Sequence, residues 1–211
     1  MLEGLTRPYI LDVGGGNDPF PLANIVLDKY PGDTIHRRYT DRFGETHAAL
    51  VIGDRRFIEA DVEALPFLDK SIDYIWCSHV LEHIERPLIA IRELCRVGIS
   101  GCLIVPHIAQ EALFHRIWHG AVICHRWVCW RDARMLYFVR CDTSDKAQVE
   151  SVLAAWGMNE PNGLWAYTEL RLHWGPEADC FKDGISATTL VLKGDTGEGD
   201  AVAETTPPVV C

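Results

Sequence analysis

Residues 9–32 read YILDVGGGNDPFPLANIVLDKYPG. An apolar run ends in Asp12 and opens into Gly14, Gly15 and Gly16, and a second apolar run ends in Asp28. Both runs are predicted as buried strands. Glycines between two such strands open many nucleotide-binding folds, but a dinucleotide turn wants a third spaced glycine and a helix aimed at the pyrophosphate. Here Pro19 takes that glycine's place, and twelve positions separate Gly16 from Asp28. At about 1.5 Å per residue, what remains after the second strand makes a turn or two of helix at most, and Pro19 and Pro21 shorten it further. A pyrophosphate would lose the helix N-terminus that binds it. A nucleoside without phosphates would not need one.

The rest of the chain fits an α/β fold. "RFIEAD" (56–61), "IDYIWCS" (72–78) and "GCLIVP" (101–106) read as further strands, and "HAALVIG" (47–53) as a short one. "RPLIAIRELCRV" (86–97) has the apolar period of a helix, with Pro87 in its first turn. Strands alternating with helices or long connections predict a Rossmann-like, mostly parallel sheet, with its binding crevice at the carboxyl ends of the strands. A helix is expected over 145–156. "AYTELRLHW" (166–174) and "ISATTLVLKG" (185–194) are expected to close the fold as a C-terminal antiparallel strand pair. One domain over 1–194 is expected, with a cap inserted after the fifth strand at about 107–141. Residues 195–211 are acidic, rich in Gly, Thr and Pro, and are expected to be a disordered tail.

Charge narrows the ligand. The chain carries −10 overall, which disfavours nucleic acid as a partner. The cap departs from this: its five arginines against Glu111 and Asp132 make it +3, so the rest carries −13. No apolar run approaches the roughly 20 residues that span a bilayer, and the first residues lack a basic region followed by an apolar stretch. No leader and no membrane partner are expected, and the location expected is cytoplasmic. The eight cysteines form no C-x-x-C pair. Cys77, Cys95 and Cys102 lie in apolar patterns and read as reduced thiols.

"LDVGGG", Asp28 at a strand end, "ADVEALPF" (60–67), "IDYIWCSHVLEHI" (72–84) and "GCLIVP" stand in order along residues 8–106. Together they resemble the class I S-adenosylmethionine-dependent methyltransferases, and within them the small-molecule subgroup with the "LEH" segment. The resemblance implies S-adenosylmethionine as cofactor. It implies that Asp12 and the backbone of Gly14, Gly15 and Gly16 hold the methionine end. Asp28, with Lys29 beside it, would bind the ribose, and Asp61 with Val62 would read the adenine. Ser78 and His79 would line the path to the acceptor. The pattern departs at Asp18, where the family has a further glycine.

Methyl transfer from a sulfonium needs alignment and a dry site. An alcohol acceptor also needs a base, for which His107 and His79 at strand ends are the candidates. His83, His125, Arg126 and Trp127 are the candidate acceptor contacts. The arginines and tryptophans of the cap suit a small molecule that is glycosyl or carries a carboxylate or phosphate. His115, His119, Cys124, His125 and Cys129 have no closing zinc spacing, so no metal is expected. The function expected is O-methylation of a small molecule. A catalytically silent binding module with the same fold, and a nicotinamide-dependent oxidoreductase, remain as alternatives. The oligomeric state is left open.

Overall fold

A computed structural model describes residues 2–16, 18–31, 38–41, 44–47, 50–107, 125–131, 135–140, 169–175 and 187–191. The expected helix at 145–156, the tail at 195–211, Asn17 and the cap residues His115, Trp118, His119 and Cys124 lie outside them.

The strands are β1 (Ile10–Val13), β2 (Ile25–Asp28), β3 (Arg38–Asp41), β4 (Gly44–His47), β5 (Arg56–Glu59), β6 (Ile72–Ser78), β7 (Gly98–Pro106), β8 (Trp127–Arg131), β9 (Leu136–Arg140), β10 (Glu169–Trp174) and β11 (Ala187–Val191). One α-helix stands among the described residues, α1 (Pro87–Val97). The main sheet runs β10-β7-β6-β1-β2-β5. All its pairs are parallel except β10 on β7. β1, the first strand, lies between β2 and β6, so the chain order reverses direction there, where open α/β sheets bind ligands.

The expected mostly parallel sheet is therefore present, with two differences. β10 closes it alone as the antiparallel edge, while β11 lies in a second sheet, parallel to β9 and not paired with β10. β8 and β9 form the antiparallel hairpin of that second sheet. The expected strand at 47–53 differs among the described residues: His47 ends β4, 50–53 is not strand, and 48–49 lie outside them. An apolar stretch becomes a strand only if a neighbouring edge accepts its hydrogen bonds, and the edge beside β2 is taken by β5.

The apolar positions that predicted strands and helix do form the core. Leu11, Ile25, Leu27, Ile75 and Leu103 from the sheet pack with Ile91 and Leu94 of α1, each at most 1% exposed. Cys77, Cys102 and Cys129 are free thiols in buried positions, whereas Cys95 is disulfide-bonded, which corrects the expectation for that residue.

Arg96 fixes α1 to the loop before β6. Its guanidinium donates to both carboxylate oxygens of Glu93, at 2.7 Å each, to Asp69 Oδ1 and to the carbonyls of Phe67 and Leu65. A lysine cannot reproduce that planar fork. Arg96→Met should destabilise the fold by about 1–3 kcal/mol, with Arg96→Lys recovering only part, as urea unfolding monitored by circular dichroism would measure. Equal stability of Arg96→Lys and the native chain would show that charge alone suffices.

Candidate functional site at the carboxyl ends of the sheet

A cavity of about 1390 Å³ opens at the carboxyl ends of β1, β2, β5 and β6. Its floor is the bend after β1. Gly14 and Gly16 have φ of +70° and +57°, the left-handed region that glycine enters without steric cost. A Cβ on Gly14 would meet Val80 Cγ2 at 2.4 Å, and one on Gly15 would meet Asp12 Oδ2 at 2.4 Å. The glycines are thus required by the chain's approach to itself, not only by a ligand. No helix follows the bend among the described residues, and Asp12 takes over its anchoring. The Phe20 amide donates to Asp12 Oδ2 at 2.7 Å, and Gly14 N–H donates to the Leu27 carbonyl.

Asp12 is almost fully buried. Burial pushes its carboxyl up to about 6, against the lowering effect of the Phe20 amide and of Arg55. Asp28 is also buried, and its Oδ1 accepts from the Tyr30 amide at 2.8 Å. This turn sets the carboxylate at the end of β2. Asp61 follows β5. Its Oδ2 meets Lys29 Nζ at 2.6 Å and its Oδ1 accepts from the Glu63 amide. Burial alone would raise the Asp61 carboxyl, but Lys29 and that amide together hold it below its ordinary value.

His79 follows β6 with φ +55°, a conformation that costs a non-glycine residue about 1–3 kcal/mol. Its ring bridges two acids: Nδ1 lies 3.3 Å from Glu82 Oε1 and Nε2 lies 3.2 Å from Glu169 Oε1. Glu82 beside it, with Glu169, holds the imidazole up at about 9, against burial. A histidine so held is a cation at neutral pH and a poor proton acceptor. Glu169 reaches this place because the register of β10 sets it opposite Pro106, at the end of β7.

Asp12, Gly14, Gly15, Gly16, Asp28, Lys29, Asp61, Val62, Ser78, His79, His83 and Arg126 all line this one cavity. Three expected contacts do not. His107 is 7% exposed, bridged to Cys129 of the hairpin, and burial lowers its imidazole below the ordinary value. It is enclosed because the hairpin packs over the end of β7. Trp127 is buried in the core, and its indole N–H donates to the Ile84 carbonyl at 2.8 Å. That indole anchors the hairpin. His125 stands behind His83, with ring centroids 4.7 Å apart.

Several cavity residues carried no sequence signal. Phe20 and Trp76 stack at 4.5 Å with planes 9° apart on the cavity wall. Trp76 lies inside a strand whose apolar run reads as core, and only its side of the sheet decides its exposure. Arg126 and Arg140 both pair with Glu85, so part of the cap's positive charge is neutralised where it meets the cavity.

Residues 32–105 match the family model described as a methyltransferase domain. This segment begins after the glycine bend and ends with β7. This part of the chain is similar to methyltransferase domains. An uncharacterised methyltransferase of Mycobacterium marinum is 34% identical over 119 residues, which cover 56% of this chain and 43% of that relative. Another from Mycolicibacterium vanbaalenii is 35% identical over 121 residues, covering 56% and 41%. The matched part of this chain spans about two fifths of these relatives. Among solved structures, a S-adenosylmethionine-dependent methyltransferase from Thermotoga maritima has a TM-score of 0.36 at 21% identity, covering 55% of this chain and 52% of that one. A complex of the Haloferax volcanii Trm112 methyltransferase activator with a methyltransferase has a TM-score of 0.38 at 15% identity, covering 79% and 80%. Among the described residues no helix is long and apolar enough to cross a membrane.

The buried Asp12 makes a testable prediction about stability. In the folded chain its carboxyl stays protonated up to about pH 6, while in the unfolded chain it ionises from about pH 4. The folded state therefore binds the extra proton, and this contribution to stability is lost as pH rises through about 6. Asp12→Asn should gain stability relative to the native chain by about 2 kcal/mol between pH 4.5 and 7. Urea unfolding at the two pH values measures it; a pH-independent difference would mean that Asp12 ionises normally.

Proposed function

We propose that the protein transfers a methyl group from S-adenosylmethionine to a small-molecule hydroxyl. The observation that carries the reading is the gathering of Asp12, Asp28 and Asp61, from three successive parallel strand ends, around one cavity. A set of carboxylate acceptors with no helix N-terminus suits a cationic nucleoside and does not suit a pyrophosphate. When bound, S-adenosylmethionine supplies a methyl group on a positively charged sulfur, open to in-line displacement.

The chain's own residues do the positioning. Asp12 and the Gly14–Gly16 backbone receive the methionine end. Asp28 accepts from the ribose hydroxyls, with Lys29 beside it. Lys29 engages one oxygen of Asp61 and the Glu63 amide the other, so the adenine is read by the Asp61–Val62 backbone together with whichever carboxylate lone pairs remain. The Phe20–Trp76 stack gives the cavity an apolar wall that excludes water from the transfer path. Ser78 and His79 stand between this part and the acceptor, with His83 and Arg126 further out. Of the two histidines expected as bases, His79 is the one on the cavity; as a cation it positions the acceptor, and the hydroxyl proton leaves to solvent. The acceptor fits a glycosyl or anionic metabolite, with Arg126 as its positive contact. The reading includes a cytoplasmic location, which the free thiols of Cys77, Cys102 and Cys129 favour and the disulfide at Cys95 does not.

Isothermal titration with S-adenosylmethionine should give one site. Asp28→Ala should weaken it at least tenfold, roughly 1.4 kcal/mol. No binding by the native chain, or binding of NAD in its place, would overturn the reading. Unchanged affinity in a folded Asp28→Ala protein would remove Asp28 from the ribose site.

A further inference from the structure

Beside the cavity lies a group of side chains that cofactor binding does not use. Glu82 is completely buried, and among the described residues neither of its carboxylate oxygens accepts a hydrogen bond. A carboxylate taken out of water without such bonds is costly, by several kcal/mol, unless a positive charge stands against it. The imidazolium of His79 lies 3.3 Å from Oε1 but off hydrogen-bond geometry, and it is shared with Glu169. His83 Nε2 lies 3.8 Å from the same oxygen. His125 comes from the hairpin and sets its ring edge-on to His83. One ligand atom each from Glu82, His83 and His125 falls within 4.8 Å of the others.

These three residues meet because two independent segments are locked together. The amides of Arg126 and Trp127 donate to the Glu82 carbonyl, and the Trp127 indole donates to the Ile84 carbonyl. Residue 125 is thereby held beside residues 82 and 83 by two backbone hydrogen bonds and the Trp127 indole. Around an ion with tetrahedral bonds of about 2.1 Å, ligand atoms lie about 3.4 Å apart, so side-chain rotations that move these atoms by about 1–1.5 Å close the set.

We infer that Glu82, His83 and His125 form a binding site for a divalent transition-metal cation at the edge of the cavity. Two imidazoles and one carboxylate suit zinc, manganese, iron(II) or cobalt, and disfavour calcium and magnesium, which prefer all-oxygen shells. Three protein ligands leave positions open. His83 belongs to the cavity lining, so the open positions face the space assigned to the acceptor. Resting on the methyltransferase reading, the ion's part is to hold an acceptor oxygen at a fixed place. The divalent charge also adds to the compensation that the buried Glu82 carboxylate shares with Glu169 through His79.

The test is titration of the full chain with cobalt(II) chloride in the absence of any nucleoside, followed by calorimetry and visible absorption. The expected result is one saturable site of micromolar affinity or tighter, weakened at least tenfold by Glu82→Gln, His83→Ala and His125→Ala. His125→Ala serves as the informative variant if Glu82→Gln fails to fold, because His125 is only partly buried. No saturable binding, or binding indifferent to His83→Ala and His125→Ala, would overturn the site. Adding catechol, an oxygen chelator, to the cobalt-loaded protein should shift the absorption bands; unaltered bands would overturn the acceptor-holding part. Because no nucleoside is present, failure here leaves S-adenosylmethionine binding to be judged separately.

Discussion

The hydrogen bond from the Phe20 amide to Asp12 Oδ2 sets the character of this molecule. It closes the bend after the first strand without a helix and brings Phe20 across to stack on Trp76. The carboxylate that does this is buried, so a proton or a positive charge is needed to relieve it. A helix dipole aimed at a phosphate would create the opposite demand. The bend therefore selects the charge of what can lie above it, and the strand-end acids Asp28 and Asp61 extend the same selection along the sheet.

The second organising feature is the loop between the sheet's central strand and its helix. His79 leaves the strand in a left-handed conformation, and Glu82 turns inward immediately after. The hairpin residues at 126 and 127 bond to that loop through their amides. The part of the cap that the structure describes is thus a β hairpin attached to the loop that carries His79, Glu82, His83 and Glu85. This attachment explains why His107 and Trp127 are enclosed while Arg126 reaches the cavity.

Much of the fold was legible in the chain. Runs such as IVLD and IDYIWCS are apolar enough to be recognised as buried strands, and the period of residues 87–97 marks the helix. The strand-end acids were legible too, because position after a strand is a local property. What was not legible depends on partners distant in sequence. Nothing in residues 185–194 says that their strand pairs with 136–140 and not with 169–174. Nothing in VPH says that a hairpin will cover His107, nor in RWVCW that Trp127 packs inward while Arg126 points to the cavity. Glu82 reads as a helix-orienting acid in LEH, and only the folded chain reveals that, among the described residues, its buried oxygens accept no hydrogen bond.

The measurement that tests the account most directly is a crystal structure of the protein with S-adenosylhomocysteine. The account predicts the ribose against Asp28, the amino-acid end at the bend between Asp12 and Gly16, and the sulfur turned toward Ser78 and His79. A ligand lodged away from the glycine bend, or a bend filled by Phe20 and Trp76 with no space for it, would contradict the assignment of this cavity.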